Sequence, residues 1–220
     1  MSSIQQHLSR LRRLDSCAIS DAFDRLGLSG VVSGVPQQSG TGRITGVAVT
    51  MKLDAGGSGT PSARHLGTTA IEAAGPDNII VIEQHTGIVA GCWGGLLTLG
   101  AKARGVAGVI ADGPVRDIDE ARALEFPIFT RDLTAVTARG RLVERATNVP
   151  VSAWGITVHP GDYVMADGSA VVVIRAADIT RVLEVAEVIA AREAAMAKAI
   201  QAGQAISQVM GAQYENMLKG

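Results

Sequence analysis

Apolar residues recur along this chain with two different periods. At the N-terminus Ile4, Leu8, Leu11 and Leu14 share one face of a helix over residues 3–14. Asp15 or Ser16 then caps a second helix that turns Ala18, Ala22 and Leu26 inward and stops at Gly27. Residues 28–43 are rich in Gly, Ser and Pro and read as a loop. Period two takes over at 44–53, where Val47, Val49 and Met51 alternate as in a strand. Residues 54–62 read as a loop, about Ala63 to Ala74 as a helix closed by Gly75-Pro76, and 78–83 (NIIVIE) as a short buried strand. Next come a glycine-rich turn (Gly91 to Gly95), a short helix (Leu96 to Arg104, ended by Gly105), an apolar strand (Val106 to Ala111) and a tight turn at Asp112-Gly113-Pro114. That turn delivers Arg116 and Asp117 to the start of another helix, at 117–124. Phe126 to Thr130 and Arg141 to Glu144 read as short strands. Beyond Val151 strand-like runs are broken at Pro160-Gly161-Asp162 and at Asp167-Gly168, the latter a hairpin signal. A long helix over 178–202, capped by Asp178 and ended by Gly203, precedes a tail of weak periodicity.

Strands alternating with helices, followed by a hairpin, predict an α/β fold with mixed rather than purely parallel sheets. No internal repeat or linker divides the pattern. One domain over 1–220 is expected, with N-terminal helices at 3–27, a core at 44–175 and the long C-terminal helix at 178–202 with its tail.

Composition narrows the function. Hydrophobic residues make up 47% of the chain but aromatics only 3%, which favours an aliphatic core and argues against stacking on nucleobases. The net charge is −1 and no basic block occurs, so nucleic acid and anionic membrane are poor partners. Cys17 and Cys92 form no CxxC motif and read as ordinary buried thiols. The N-terminus has no apolar signal region, and no apolar run reaches the ~18 residues of a membrane span, so the cytoplasm is the expected location.

Four features could carry chemistry. Arg116 can grip a carboxylate with two parallel hydrogen bonds, and Asp117 beside it offers oxygen ligands that suit Mg²⁺ or Mn²⁺; a surface ion pair at a helix start accounts for the same two residues. Gly94, Gly95, Leu96 and Leu97 open a helix, where free N–H groups can hold an anion; a tight turn packed on Trp93 is the plainer reading. Asp112-Gly113 reads as an Asx-turn with Gly113 at positive φ. Glu193 interrupts the apolar stripe Ile179, Val182, Ala186, Ile189, Met196, Ile200. It is either solvated beyond the end of the core or aimed into a site, its own or one across a subunit boundary. The histidines lack metal-ligand spacing, and no GxSxG, GxGxxG or P-loop motif occurs.

The run Gly94-Gly95-Leu96-Leu97, then Ala101 to Gly108, then Asp112-Gly113-Pro114-Val115-Arg116-Asp117 resembles the signature of the RraA-like family. Ser20-Asp21-Ala22 with Leu26-Gly27, and Pro160-Gly161-Asp162 with Ala166-Asp167, resemble its two ends, so the likeness runs over residues 14–203. That family includes class II 4-hydroxy-4-methyl-2-oxoglutarate / 4-carboxy-4-hydroxy-2-oxoadipate aldolases and the regulator of ribonuclease E activity. The resemblance implies an α/β/β/α swivelling domain, assembled as a homotrimer or homohexamer with sites between subunits. It implies a Mg²⁺- or Mn²⁺-dependent lyase that releases pyruvate from a 2-oxo acid or decarboxylates oxaloacetate. In that reaction Arg116 would bind the keto acid and its enolate, Asp117 would hold the metal, and the amides of Leu96 and Leu97 would bind the pyruvate carboxylate. Glu193 would come from the neighbouring subunit. This chain departs from the aldolase pattern at Gly95, where the aldolases carry an acid. The departure puts aldol cleavage in doubt more than decarboxylation and keeps a different lyase substrate in play. The alternative function is a non-catalytic binding protein like the ribonuclease E inhibitors.

Overall fold

The structure is a computed structural model in which residues 2–56 and 64–211 are described. Two helices, α1 (Ser3–Leu11) and α2 (Ser16–Leu26), lead into β1 (Val31–Ser33), β2 (Gln37–Ser39) and the long strand β3 (Ile44–Ala55). Then follow α3 (Thr68–Ala73), β4 (Asn78–Glu83), α4 (Gly95–Ala103), β5 (Gly108–Asp112), α5 (Ile118–Ala123), β6 (Ile128–Thr130) and β7 (Leu142–Thr147). The chain continues through the hairpin β8 (Val151–Ala153) and β9 (Ile156–Val158), then β10 (Tyr163–Ala166), β11 (Ala170–Ile174), α6 (Ile179–Gln201) and α7 (Ile206–Val209).

The main sheet is mixed, with strand order β1-β11-β10-β3-β4-β5-β6-β2 and β7 paired to β3. β3, β4, β5 and β6 run parallel, with Val49 opposite Ile80 and Ile80 opposite Val109; β10, β11, β1, β2 and β7 are antiparallel additions. The sheet curls so that its inner face closes on itself. Ile79, Val81, Ile110 and Phe129 from one half meet Val164, Val171 and Val173 from the other, with Val151 and Val158 of the small hairpin. The outer face carries helices at both ends. Met51, Ile80, Ile82 and Val109 pack under α3, α4 and α5, around Leu97 and Trp93. Tyr163, Met165, Val172 and Ile174 pack under α1, α2 and α6, around Leu8, Ile19 and Leu183. The result is four layers, helix–sheet–sheet–helix. Strands covered on both faces explain the unbroken apolar runs NIIVIE and AVVVI.

Several expected local features hold. Asp15 caps α2, its carboxylate accepting from Ala18 N–H, and Gly27 ends that helix in the left-handed region at φ 64°. Others are corrected. Residues 28–43 are not all loop, because β1 and β2 form there, paired to distant strands β11 and β6. β3 extends to Ala55, past the expected loop boundary; residues 57–63 fall outside the described residues, but 64–67 form a turn rather than the first turn of the expected helix, which begins only at Thr68 after Gly67 at φ 85°. Asp178 makes no cap on α6; its carboxylate is taken by Arg181 at 2.9 Å. Asp112 closes no Asx-turn. It accepts from Trp154 N–H at 2.7 Å and pairs with His85 Nε2 at 2.6 Å. Gly113 is needed for packing, not for positive φ, since a Cβ there would overlap the Gln84 side chain. Cys92 is buried, which pushes its thiol up to about 12, but Cys17 is exposed.

One carboxylate ties the N-terminal helices to the hairpin. Asp167 accepts from Ser16 N–H at 2.9 Å, Ser16 Oγ at 2.7 Å and Ser169 N–H at 2.9 Å. Burial alone would raise its pKa, but these bonds outweigh it and hold the group below the usual carboxylate range. Asp167→Ala is expected to cost about 1–3 kcal/mol near neutral pH. Because the folded-state pKa is depressed, that contribution is complete above the ordinary value of 3.8 and fades as pH falls through the folded value. Urea titrations of parent and variant should therefore converge in acid; a constant offset down to about pH 2 would contradict the assignment.

Candidate active site

The C-terminal ends of parallel strands are where ligands collect in open α/β sheets. Beyond β5 and β6 three segments continue side by side. Cys92 N–H donates to Pro114 O at 2.8 Å, Arg116 N–H to Trp93 O at 3.0 Å, Val115 N–H to Asp132 O at 3.0 Å and Thr134 N–H to Val115 O at 2.9 Å. This short ladder fixes Arg116 and Asp117 against the start of α4. Trp93 anchors it, fully buried and donating from Nε1 to Thr98 Oγ1 at 2.9 Å.

The backbone makes room for the arginine. A Cβ on Gly91 would lie 2.8 Å from Arg116 Cγ, and one on Gly94 would lie 2.9 Å from Asp117 Oδ2. Asp117 itself sits at φ 57° and ψ 38°, in the left-handed region that costs a non-glycine residue about 1–2 kcal/mol. That conformation turns its carboxylate away from its own helix, α5, and across to α4. Oδ1 accepts from Arg116 Nε at 3.1 Å, and Oδ2 accepts from Gly95 N–H at 3.0 Å. Gly94 is the N-cap of α4 and offers no side-chain cap, so Asp117 serves as its cap from another element. The next two N–H groups in that first turn, Leu96 and Leu97, are those an α-helix leaves without partners.

The sequence reasoning named Gly94, Gly95, Leu96, Leu97, Arg116 and Asp117, and the structure brings these six together. They line one cavity of about 750 Å³, with His65, Ile71 and Arg139 among the remaining walls. Leu96 is 86% exposed at its mouth. Glu193 is not with them. It lies on α6, where the apolar stripe is buried only as far as Ile189, and no residue from 191 to 201 is buried. Partial burial, then the nearby carboxylates of Asp21 and Asp15, push its pKa up.

One residue escaped the sequence reading. Glu120, on α5, extends its carboxylate over Gly95 so closely that a Cβ there would overlap Oε2. The space left by the missing side chain at position 95 is filled by an acid from the facing helix. Gly95 is helical rather than left-handed, so its role is clearance and not backbone freedom. The only local signal was an acid one helical turn after Asp117, which any helix start can carry.

The fold and the site motif agree with comparisons to known proteins. The model of the RraA-like family (Aldolase/RraA) matches residues 16–173. The chain belongs to the RraA-like family. A protein of Halalkalibacterium halodurans with the provisional name 4-hydroxy-4-methyl-2-oxoglutarate aldolase is 30% identical over 193 residues, covering 88% of each chain. Protein DlpA of Legionella pneumophila is 29% identical over 91% of this chain, but the match spans only 32% of that longer protein. An archaeal protein of Methanocaldococcus jannaschii without an assigned function is 37% identical over 54% of this chain and 56% of its own length. Among solved structures, an uncharacterised Pseudomonas syringae protein superposes with a TM-score of 0.82 at 29% identity, over 94% of this chain and 98% of its own. The Streptomyces coelicolor RraAS2 structure, from the RNase ES inhibitor RraA family, shares the fold at a TM-score of 0.73 and 24% identity, over 90% and 96% of the two chains.

The RraA-like site geometry predicts two different glycine phenotypes. Gly95→Ala should melt within about 1 kcal/mol of the parent, because only the flexible end of Glu120 must move. Gly113→Ala should cost about 1–3 kcal/mol through overpacking on buried Gln84. Thermal melts of both variants compare them directly; equal losses would show that Gly95 is held by something other than Glu120.

Proposed function

We infer that this RraA-like protein is a divalent-metal-dependent lyase acting on a 2-oxo acid, by retro-aldol release of pyruvate or by β-decarboxylation. The observation that carries the reading is the Asp117 carboxylate, which joins the Arg116 guanidinium to the N-terminus of α4 at the wall of a cavity. The name borne by the Halalkalibacterium relative supports the lyase class. Such a site needs donors for a substrate carboxylate and for the enolate oxygen that develops as a C–C bond breaks. The N–H groups of Leu96 and Leu97 supply the first, with the helix dipole behind them. Arg116 supplies the second: only its Nε is committed to Asp117, which leaves the outer guanidinium nitrogens for the 2-oxo oxygen.

The donor set suits a hard divalent cation. Asp117 would hold it, with Glu120 alongside, and oxygen-only ligation with several retained waters is what Mg²⁺ accepts. Such an ion would supply a Lewis acid that polarises the 2-oxo group. Charge balance points the same way. Asp117, Glu120 and a Glu193 from a second copy against one Arg116 sum to −2. Glu120 is the proton carrier of the reading. In the retro-aldol direction it takes the proton of the 4-hydroxyl, the C3–C4 bond breaks, its electron pair moves to the enolate, and C3 then takes a proton to give pyruvate. In decarboxylation CO₂ leaves from C3 instead, and only the second proton transfer is needed.

The assembly belongs to the same proposal. The bare half of α6 from Ala191 to Gln201 is about 16 Å of helix that would not be stable alone in water. Glu193 and Asp21 accept no hydrogen bond from any described residue, while the cavity offers Arg139 and exposed Leu96. A homotrimer, or a homohexamer of two trimers, in which α6 of one copy brings Glu193 to the Arg116 of the next satisfies both surfaces. Light scattering at micromolar concentration should give a multiple of three; a stable monomer contradicts the shared site.

Oxaloacetate decarboxylation above the metal-only background tests the chemistry. Arg116→Ala should lose on the order of 10²–10³ in turnover, and Arg116→Lys should not rescue it, since lysine lacks the planar fork. Asp117→Ala should respond to excess Mn²⁺, and EDTA should silence the parent. Glu120→Gln should slow pyruvate release from 4-hydroxy-4-methyl-2-oxoglutarate more than it slows decarboxylation, and adding Gly95→Asp to it should restore part of the aldol rate. If parent and variants all match the background and chelator changes nothing, the lyase reading fails and a non-catalytic binding role replaces it.

A further inference from the structure

The hairpin β8–β9 carries an unsuitable residue in its turn. Ala153 stands opposite Ile156, so the loop is two residues long, Trp154-Gly155, and both have positive φ, at 47° and 83°. A turn of that kind follows the twist of a hairpin and favours Asn-Gly or Asp-Gly, because a bulky side chain is an outlier in that backbone region. Gly155 fits the rule and Trp154 breaks it. A conformation of such cost is kept where contacts hold it, and these cluster beside functional sites.

The contacts that hold Trp154 come from the ends of the parallel strands. Its N–H donates at 2.7 Å to Oδ2 of Asp112, the last residue of β5. Two residues earlier, Ser152 N–H donates at 2.6 Å to Oε2 of Glu83, the last residue of β4. Glu83 is buried, stands opposite Asp112 in the sheet register and meets Lys52 Nζ at 2.9 Å. The edge of β8 that faces away from β9 is thus met by two carboxylates. The Trp154 ring packs against the inner-face core, and the Arg131 guanidinium lies over it, 5.7 Å from the ring centre. Arg131 directly follows β6 and is itself fixed by the carbonyls of Ser33 at 3.0 Å and Gly34 at 3.1 Å. One residue therefore bridges the end of β5 to the end of β6.

Those two strand ends are the ones from which the site continues. Asp112 leads through Gly113 to Arg116, while Arg131 leads to Asp132 and Leu133, which pair with Val115. Thr130 Oγ1 joins the two, donating to Gly113 O at 2.9 Å. Any separation of the strand ends would shift Val115 and Arg116 against Trp93, whose carbonyl accepts Arg116 N–H. We propose that Trp154 is a positioning residue: it clamps the ends of β5 and β6 from the inner face of the sheet and so keeps the Arg116 ladder in register on the outer one. The proposal rests on the lyase reading for its catalytic consequence and on these contacts alone for the clamp.

Hydrogen exchange and kinetics on the full chain test the two parts separately. Trp154→Asn suits the left-handed turn position, so the hairpin should still close. Well below the melting temperature, amides in 91–95, 112–117 and 130–134 should exchange about 2- to 30-fold faster than in the parent, the range of one cation–π contact, with β10, β11 and α6 unchanged. Trp154→Phe keeps a ring under Arg131 and should restore most of the protection. Should the Asn variant fold poorly, Arg131→Gln, at an exposed residue, reads the same contact and should give the same pattern. Turnover of oxaloacetate with Mg²⁺ should fall about 10-fold or more in Trp154→Asn, with KM little changed, and recover in Trp154→Phe. Unchanged exchange in the ladder, or a rise spread evenly over the chain, means that Trp154 only fills the inner core, and overturns the clamp. A loosened ladder with parent turnover overturns the positioning role. If the parent itself matches the metal-only background, the lyase reading falls, while the exchange result still decides the clamp.

Discussion

The site is organised by one carboxylate that does not serve the helix it begins. Asp117 caps α4 through Gly95 N–H and steadies Arg116 through Nε, and it can do both only because its backbone is left-handed. The conformational cost of about 1–2 kcal/mol is offset by two charge-assisted bonds, each worth about 1.5–3 kcal/mol. The balance is favourable, and it depends on the ladder of segments beyond β5 and β6 that holds Asp117 in place. Strain of this kind persists where the surroundings over-determine a residue. Here the surroundings are Trp93, fully buried below, and the two glycines whose absent side chains admit Arg116 and the Asp117 carboxylate.

Glu120 shows how a site can keep an acid while moving it. The start of α4 and the start of α5 face each other, so a carboxylate can reach the same point from either helix. If it comes from α5, a side chain at position 95 and the end of Glu120 compete for one volume, and one of them must swing aside. Gly95 and Glu120 are therefore one feature, not a loss at one place and an ordinary acid at another.

The parts legible in the sequence are those set by local rules. The cap at Asp15, the stop at Gly27, the strand 78–83 and the order turn–helix–strand–turn around Arg116 all follow from neighbours in the chain. The RraA-like motif is legible for the same reason, being a nearly continuous run. What failed was decided by distant partners. β1 and β2 are three residues each, and their reason to exist is pairing with β11 and β6. Asp112 looked like a turn former, but His85 and Trp154 claim its carboxylate from two other segments. Asp178 looked like a cap, but Arg181 offered a stronger partner than a backbone N–H. Glu120 was invisible because only the fold brings it to Gly95.

Glu193 marks the boundary of what one chain can explain. Its place in an apolar stripe was legible, and the structure shows why the stripe is ambiguous: the core ends near Ile189 while the helix does not. A solvated helix end would have no reason to carry Met196 and Ile200 on the line that continues the buried face. Nor would it gather Glu193 beside Asp21 and Asp15, where partial burial first and those two carboxylates second push the pKa of Glu193 up. Both features cost free energy in an isolated chain and are relieved when a basic, apolar-rimmed surface covers them. In the proposed assembly the cavity mouth around Arg116 and Arg139 would be that surface, so that completing the site and covering α6 would be a single requirement rather than two.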